Sequence, residues 1–447
     1  MNTIAGLCGY IVVILLAIYT LYCFTVFRRK DREKQNKIFA KQKMCMFLMH
    51  FICNVLLFVV DFDSRIIMLY GIELVFFLCI MKLYEIIYRG LSKLVLNNIV
   101  LLSMVGLIML KRIKVEYAAR QLVFIVAGLA VCLLVPLIIK KFRYFGRFGW
   151  QYGFIGIIIL GALLVVGVEK YGAKNWLRIG GILIQPLEFV KIIFVFAIAA
   201  LLAGRPSFKK IVAITAMAAA HVLILVLEKD LGGALLYFLT YLVILVVSTG
   251  NVLYLVAGLF AGGTASVLAY RLFAHVRRRV LAWRDPWANV DDAGYQIAHS
   301  LFAIGTGGWF GMGLGRGIPK IIPVVESDYI FSAICEELGG IFGICLIMVY
   351  VSCFIMVSNI SIKIDNLFYK FTALGLGIMF MFQVFLSIGG VTKLIPSTGV
   401  TLPLISYGGS SVISTILTFS IIQGMYVLYG SEVDKADEAK EKAHEGE

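Results

Sequence analysis

The chain has 447 residues, 61% of them hydrophobic and 15% charged, with a mean hydropathy of +0.94. No soluble domain needs that much apolar sequence, so a polytopic, all-α membrane protein is expected. The formal net charge of +15 does not signal nucleic acid, because most basic residues fall in short loops between apolar runs, where they set orientation.

Thirteen spans are expected, at roughly 3–26, 44–61, 66–88, 94–110, 120–139, 150–168, 186–204, 210–227, 231–249, 252–270, 328–358, 368–388 and 409–429. The first is too long, and too soon followed by others, for a cleaved signal, and no A-x-A-like site follows it. Glu73, Lys82 and Glu85 in the third span are expected to pair with one another or to mark a helix contact. Cys8, Cys23, Cys45, Cys53, Cys79, Cys132, Cys335, Cys345 and Cys353 lie in apolar runs without CxxC spacing, so neither a metal site nor a disulfide framework is signalled. His50, His221, His275, His299 and His444 show no ligand spacing either.

Orientation follows from basic residues in short loops. Arg28–Lys43 holds eight of them; Lys140, Lys141, Arg143 and Arg147 share a second loop, and Arg205, Lys209 and Lys210 a third. All three loops fall on one side, taken as cytoplasmic, which puts the N-terminus outside and the charged tail, 431–447, inside. Lys111, Arg112 and Lys114 would lie outside and vote against this. The same count places the loops 169–185, 228–230, 271–327 and 389–408 outside, and these carry the unusual polar residues. The long one is rich in glycine and aromatic residues, so it is expected to be ordered and partly re-entrant.

The first polar constellation is Asn175–Lys191, NWLRIGGILIQPLEFVK. Pro186 suits a first helical position. Gln185, Glu188 and Lys191, three apart, share one helix face; the Glu–Lys pair reads equally well as structural glue. In Glu228–Ala234, EKDLGGA, charges precede small residues that permit close helix contact, although an ordinary polar turn looks the same. In Arg277–Gln296, arginines suited to phosphate precede Asp285, Asp291 and Asp292, any of which could serve as a general base. A solvated charged loop is the plain alternative. The glycine-rich run Gly294–Gly315 follows, and then Asp328, Ser332 and Glu336 on one helix face with Glu337 beside them. Buried carboxylates need partners or protonation. Last comes Leu402–Ser411, LPLISYGGSS, a turn with Ser410 or Ser411 near a helix cap.

These motifs, in this order, resemble the SEDS family (shape, elongation, division and sporulation) of RodA/FtsW/SpoVE type. Q-P-x-E-x-x-K matches Gln185–Lys191, D-L-G-x-A matches Asp230–Ala234, and GYQ…S…AIGTGG…GMGLG matches Gly294–Gly315. A D-F-I-F…E-E-l-G pattern matches Ser327–Gly339, and L-P-x-I-S-Y-G-G-S-S matches Leu402–Ser411. The resemblance covers about 94–430 as ten spans, leaving 1–93 as an extension with about three more transmembrane helices and 431–447 as a tail.

The resemblance implies a peptidoglycan glycosyltransferase that polymerises lipid II, the undecaprenyl-pyrophosphate-linked disaccharide-pentapeptide, outside the cytoplasmic membrane beside a class B penicillin-binding transpeptidase. It implies substrate contacts from Arg279, Lys191, Glu188, Gln185, Asp230, Tyr295, Gln296, Asp328, Glu336, Ser406 and Ser410, with Arg277 and Arg278 as weaker cationic candidates. Gly307, Gly308, Gly313 and Gly315 would let backbone approach substrate. A divalent cation, Mg or Mn, near the pyrophosphate is compatible with this, although no ligand set declares one. Three positions depart from the family pattern. Leu187 replaces serine after Gln-Pro, and Ser387 stands in an N-I-G motif. The family's essential aspartate falls on Asn289, so Asp292, and next Asp291, are the candidate bases. Two other classes remain open: a flippase for a lipid-linked sugar, and a non-catalytic scaffold for a transpeptidase.

Overall fold

The computed structural model describes residues 2–29, 31–88, 90–170, 172–204 and 206–445, so Lys30 and Arg205 of the orientation count lie outside the described residues. The helices are α1 (Asn2–Arg28), α2 (Arg32–Asp61), α3 (Ser64–Ile87), α4 (Lys93–Ile113), α5 (Val115–Cys132), α6 (Val135–Lys141), α7 (Gly149–Val166), α8 (Leu187–Leu202), α9 (Phe208–Leu227), α10 (Leu231–Thr249), α11 (Leu253–Leu272), α12 (Ala274–Arg284), α13 (Tyr295–Gly307), α14 (Ile330–Lys363), α15 (Leu367–Val391) and α16 (Gly409–Glu445). Among the described residues, 12 helices are long and apolar enough to cross a membrane, each matching an expected span. The span expected at 186–204 is the shorter α8, with 16 residues. At 1.5 Å per residue it covers about 24 Å, less than a bilayer core of about 30 Å.

What shortens α8 is a small antiparallel sheet not expected from the sequence: β1 (Val168–Lys170), β2 (Ala173–Ile179) and β3 (Ile182–Ile184), in the order β1-β2-β3. Gly180 and Gly181 have φ of 56° and 83°, and Ile179 pairs with Ile182 across them. Two positive-φ glycines between strands form the two-residue hairpin loop that follows strand twist. That Gly-Gly signal was present in the sequence.

α4 is buried along nearly its whole length, against α2, α5 and α14. The three N-terminal helices join it through buried polar pairs. Glu73 Oε2 lies 2.8 Å from His50 Nε2 and 2.7 Å from Lys111 Nζ, all fully buried. Asn98 of α4 accepts from Tyr19 at 2.8 Å and donates to Ser352 at 2.9 Å, linking α1, α4 and α14. The expected pairing within α3 is thereby corrected: Glu73 reaches α2 and α4, Glu85 takes Lys43 at 2.5 Å, and Lys82 is exposed. The helix-contact alternative is the one realised.

The segment 271–327 contains α12 and α13, and the tip beyond α13 fills a break in α14. Gly339 interrupts α14 with φ 88° and ψ 167°. The carbonyls of Glu336 and Glu337 accept from Met312 N and Gly313 N, both at 2.9 Å, while Gly340 N and Ile341 N donate to Gly308 O and Trp309 O at 2.8 and 3.1 Å. A broken helix in lipid must satisfy its backbone elsewhere, at several kcal/mol per orphan group. A Cβ on Gly311 would stand 2.3 Å from Glu337 O, and one on Gly307 2.0 Å from Cys335 O. Gly307, one of the four glycines expected to approach substrate, instead meets the Cys335 carbonyl, and Gly311 meets that of Glu337.

Candidate functional site

Most candidate side chains meet at one end of the bundle, where α8, α10 and α14 begin and α12 and the loop 392–408 cross them. Pro186 starts α8, so Glu188 and Lys191 fall one turn apart on its buried face. Lys191 Nζ lies 2.5 Å from Glu188 Oε2 and donates to Gln383 Oε1 at 2.9 Å. Ser414 Oγ also donates to Glu188 Oε2, at 2.7 Å. Gln185 contributes its backbone N–H, which donates to Ser410 Oγ at 3.0 Å, so Ser410 fastens α16 to the entry of α8.

Asp230 caps α10. Its Oδ1 accepts from Gly233 N at 2.7 Å and its Oδ2 from Asn175 of β2 at 2.6 Å. A Cβ on Gly232 would meet Val400 Cγ2 at 2.5 Å and Thr398 O at 2.7 Å, so the small residues of D-L-G let α10 press against the loop 392–408. Asp328 accepts from Ser327 Oγ at 3.0 Å, and Arg279 of α12 reaches Ser397 O and Thr398 O at 3.5 and 3.3 Å. Burial raises both carboxyls above their ordinary values, and the charge of Arg279 opposes this in both. Asp230, Asp328 and Arg279 thus form one electrostatic group.

The loop before α13 is built differently. Asp285 Oδ1 accepts from Ala288 N at 3.0 Å, Asn289 Nδ2 donates to Asp285 O at 2.8 Å, and Asn289 O accepts from Gly294 N at 2.8 Å. Asp291 and Asp292 are exposed, and Asp292 pairs with Arg278 at 2.5 Å. Their recorded partners do not include Arg279, Asp230 or Asp328. Tyr295 and Gln296 begin α13 half-buried, with the Tyr295 ring 4.2 Å from that of His299.

Two expected substrate ligands have structural partners. Glu336 Oε1 accepts from Ile318 N at 3.0 Å, and Glu337 takes Gly315 N at 3.0 Å and Arg112 Nε at 2.8 Å, so both carboxylates secure the re-entrant tip. Ser406 accepts from Leu402 N at 2.9 Å and donates to Ser327 O, holding its own turn. Ser332 meets Ser300 at 2.6 Å. Glu336 Oε2 is buried and has no hydrogen-bond partner among the described residues, so these contacts occupy only part of what Glu336 offers.

Gln383 was missed, and Glu228 was noted only as one charge of the 228–234 turn. Glu228 ends α9, is fully buried, and has no hydrogen-bond partner for either carboxylate oxygen among the described residues. Burial, with the charge of Asp230 adding, pushes its carboxyl up to about 8 from 4.5. Because the folded value lies above the unfolded one, this group's contribution to stability is full below about pH 4.5 and is lost as pH rises through about 8. Glu228→Gln should therefore flatten the fall in melting temperature between about pH 5 and 8, measured by scanning fluorimetry in detergent. Equal slopes for variant and parent would refute it.

The chain matches the family model described as cell cycle protein, FtsW/RodA/SpoVE, over residues 81–427. It is 37% identical to the peptidoglycan glycosyltransferase RodA of Mycobacterium tuberculosis, over 74% of this chain and 76% of that protein. Against the probable peptidoglycan glycosyltransferase FtsW of Aliivibrio salmonicida the identity is 32%, over 69% and 79%. A solved chain from a study of polymerization and crosslinking by a peptidoglycan synthase complex superposes with TM-score 0.65 at 26% identity, covering 75% of this chain and 97% of that one. The crystal structure of Thermus thermophilus RodA gives 0.58 at 25%, covering 75% and 96%.

Proposed function

The chain belongs to the FtsW/RodA/SpoVE family and is a peptidoglycan glycosyltransferase, and we propose that it polymerises lipid II through the cluster at the α8–α10–α14 end of the bundle. The observation that carries this is the convergence of two cations on one loop. Lys191 reaches the loop 392–408 through Gln383, and Arg279 reaches it directly. In glycosyl transfer the acceptor's sugar hydroxyl loses a proton and attacks the donor's anomeric carbon, and undecaprenyl pyrophosphate departs. Charge grows on that leaving group, so preorganised cations in a water-poor site lower the barrier. Glu188 orients Lys191, and a carboxylate of the exposed loop, Asp292 before Asp291, takes the hydroxyl proton.

A divalent cation, Mg or Mn, would be held by Asp230 and Asp328. The charge of Asp230 acts unfavourably on the Asp328 carboxylate, which a cation between them would relieve, and such ions are bound through one or two carboxylates plus substrate phosphates. Bound there, the ion would neutralise pyrophosphate charge. The partner in this reading is a single-span class B penicillin-binding transpeptidase.

This end of the bundle is external in the proposal, with Arg28–Lys43 and the tail cytoplasmic. Lys111 and Arg112, which vote against it, are held in buried or half-buried pairs with Glu73 and Glu337, so neither acts as a loop charge. Cysteine labelling of Ala288→Cys in intact cells checks it, and reactivity from the cytoplasm alone would overturn it. For the reaction, purified protein receives labelled lipid II with and without a transpeptidase, and with and without a chelator. Glycan polymer supports the assignment. Transfer of lipid II across vesicles without polymer points to a flippase, and neither activity points to a scaffold.

A further inference from the structure

Gln383 lies in α15, with 2% of its surface exposed. Its Oε1 accepts from Lys191 Nζ at 2.9 Å. Its Nε2 donates to Thr401 O at 3.1 Å and lies 3.5 Å from Thr401 Oγ1 and 3.4 Å from Ser411 Oγ. Thr401 Oγ1 and Ser411 Oγ are themselves 2.8 Å apart. One amide thus joins α8, α15, α16 and the loop 392–408. Turning it over would set its N–H groups against an ammonium, donor facing donor, so the network fixes which end faces Lys191. A small cavity lined by Lys191, Met379, Phe380, Gln383, Thr415 and Thr418 borders the pair. The same loop supplies Ser397 O and Thr398 O to Arg279.

We propose that Gln383 is a positioning residue for glycosyl transfer: it fixes the Lys191 ammonium and ties to the bundle the loop that also holds Arg279. The proposal rests on the lipid II polymerase reading. Both ends of the Gln383 amide are engaged, by Lys191 and by Thr401, so it acts through Lys191 and the loop. Displacing a catalytic group by about 1 Å can cost on the order of 100-fold in rate.

The test compares Gln383→Met, of similar size without polar groups, with Gln383→Glu. When protonated, the Glu side chain keeps an acceptor for Lys191 and one donor for Thr401. Both are assayed on labelled lipid II with the transpeptidase present. Gln383→Met should lower kcat by roughly 100-fold with little change in KM. Gln383→Glu should retain clearly more activity than Gln383→Met, and its kcat should rise as pH falls, because only the protonated acid can donate to Thr401. A mere packing role reverses the order, since Met fills the space and a buried carboxylate does not suit it. The proposal is overturned if Gln383→Met works at the parental kcat, if its loss is confined to KM, or if Gln383→Glu is no better than Gln383→Met. Should Gln383→Met not fold, Gln383→Glu decides alone: a parental kcat with a parental pH profile overturns the proposal. Failure of the parent chain to polymerise would sink the enzyme reading instead, so the two failures are distinct.

Discussion

Lys191→Met is expected to lower kcat for lipid II polymerisation by roughly 100- to 1,000-fold, the range seen when one preorganised donor to a developing negative charge is removed. Lys191 is 5% exposed, so little water screens its charge. Its two recorded acceptors, Glu188 and Gln383, hold it in one place, which avoids reorganisation when the leaving group gains charge. The single variant has a second effect. It strands the buried carboxylate of Glu188, and breaking one half of a buried pair costs about 3–5 kcal/mol of stability. Ser414 still donates to that carboxylate, which offsets part of the cost. Pairing Lys191→Met with Glu188→Gln separates the two effects. The double variant should regain melting temperature and remain inactive. Parental kcat in the double variant would show that the ammonium is dispensable. Lys191→Arg should rescue only partly, because a planar fork does not fit the space of a point charge between Glu188 and Gln383.

The spans were legible because lipid imposes one pattern, an apolar run near 20 residues, regardless of tertiary partners. Glu188 and Lys191 were legible as a pair because helical spacing of three brings them together locally. Gln383 was not, since the partner that gives it meaning is 192 residues away in sequence and a lone amide in an apolar helix has no periodic signature. The glycine motif was recognised, but Gly307, read as approaching substrate, packs on the Cys335 carbonyl. A sequence reveals where a side chain is forbidden, while only the fold reveals that the neighbour of Gly311 is the Glu337 carbonyl. Two of the three dissenting charges, Lys111 and Arg112, are not free loop charges, while Lys114 is exposed. Residues counted as loop charges are drawn into pairs with Glu73 and Glu337, carboxylates supplied by distant helices.

Asp292→Ala, and to a lesser extent Asp291→Ala, is expected to remove polymerisation while the protein stays folded in the membrane. General-base catalysis contributes about 100- to 10,000-fold, so residual activity should fall near the detection limit. Folding should be spared because Asp292 is 75% exposed in the side chain and its partner Arg278 67%, and exposed pairs contribute at most about 1 kcal/mol. Asn289 cannot replace them. Its amide has no basic oxygen at neutral pH, and its N–H already donates to Asp285 O within the loop. Asn289→Asp would forfeit that hydrogen bond, at about 1 kcal/mol, and place a carboxylate where the family carries its essential one. It should be tolerated or raise activity. Combined with Asp292→Ala, it should restore polymerisation if any well-placed carboxylate on this loop can accept the proton. Polymerisation at the parental rate by both alanine variants would move the base off the loop. Asp328, which shares the field of Arg279 and Asp230, is then the next carboxylate to replace.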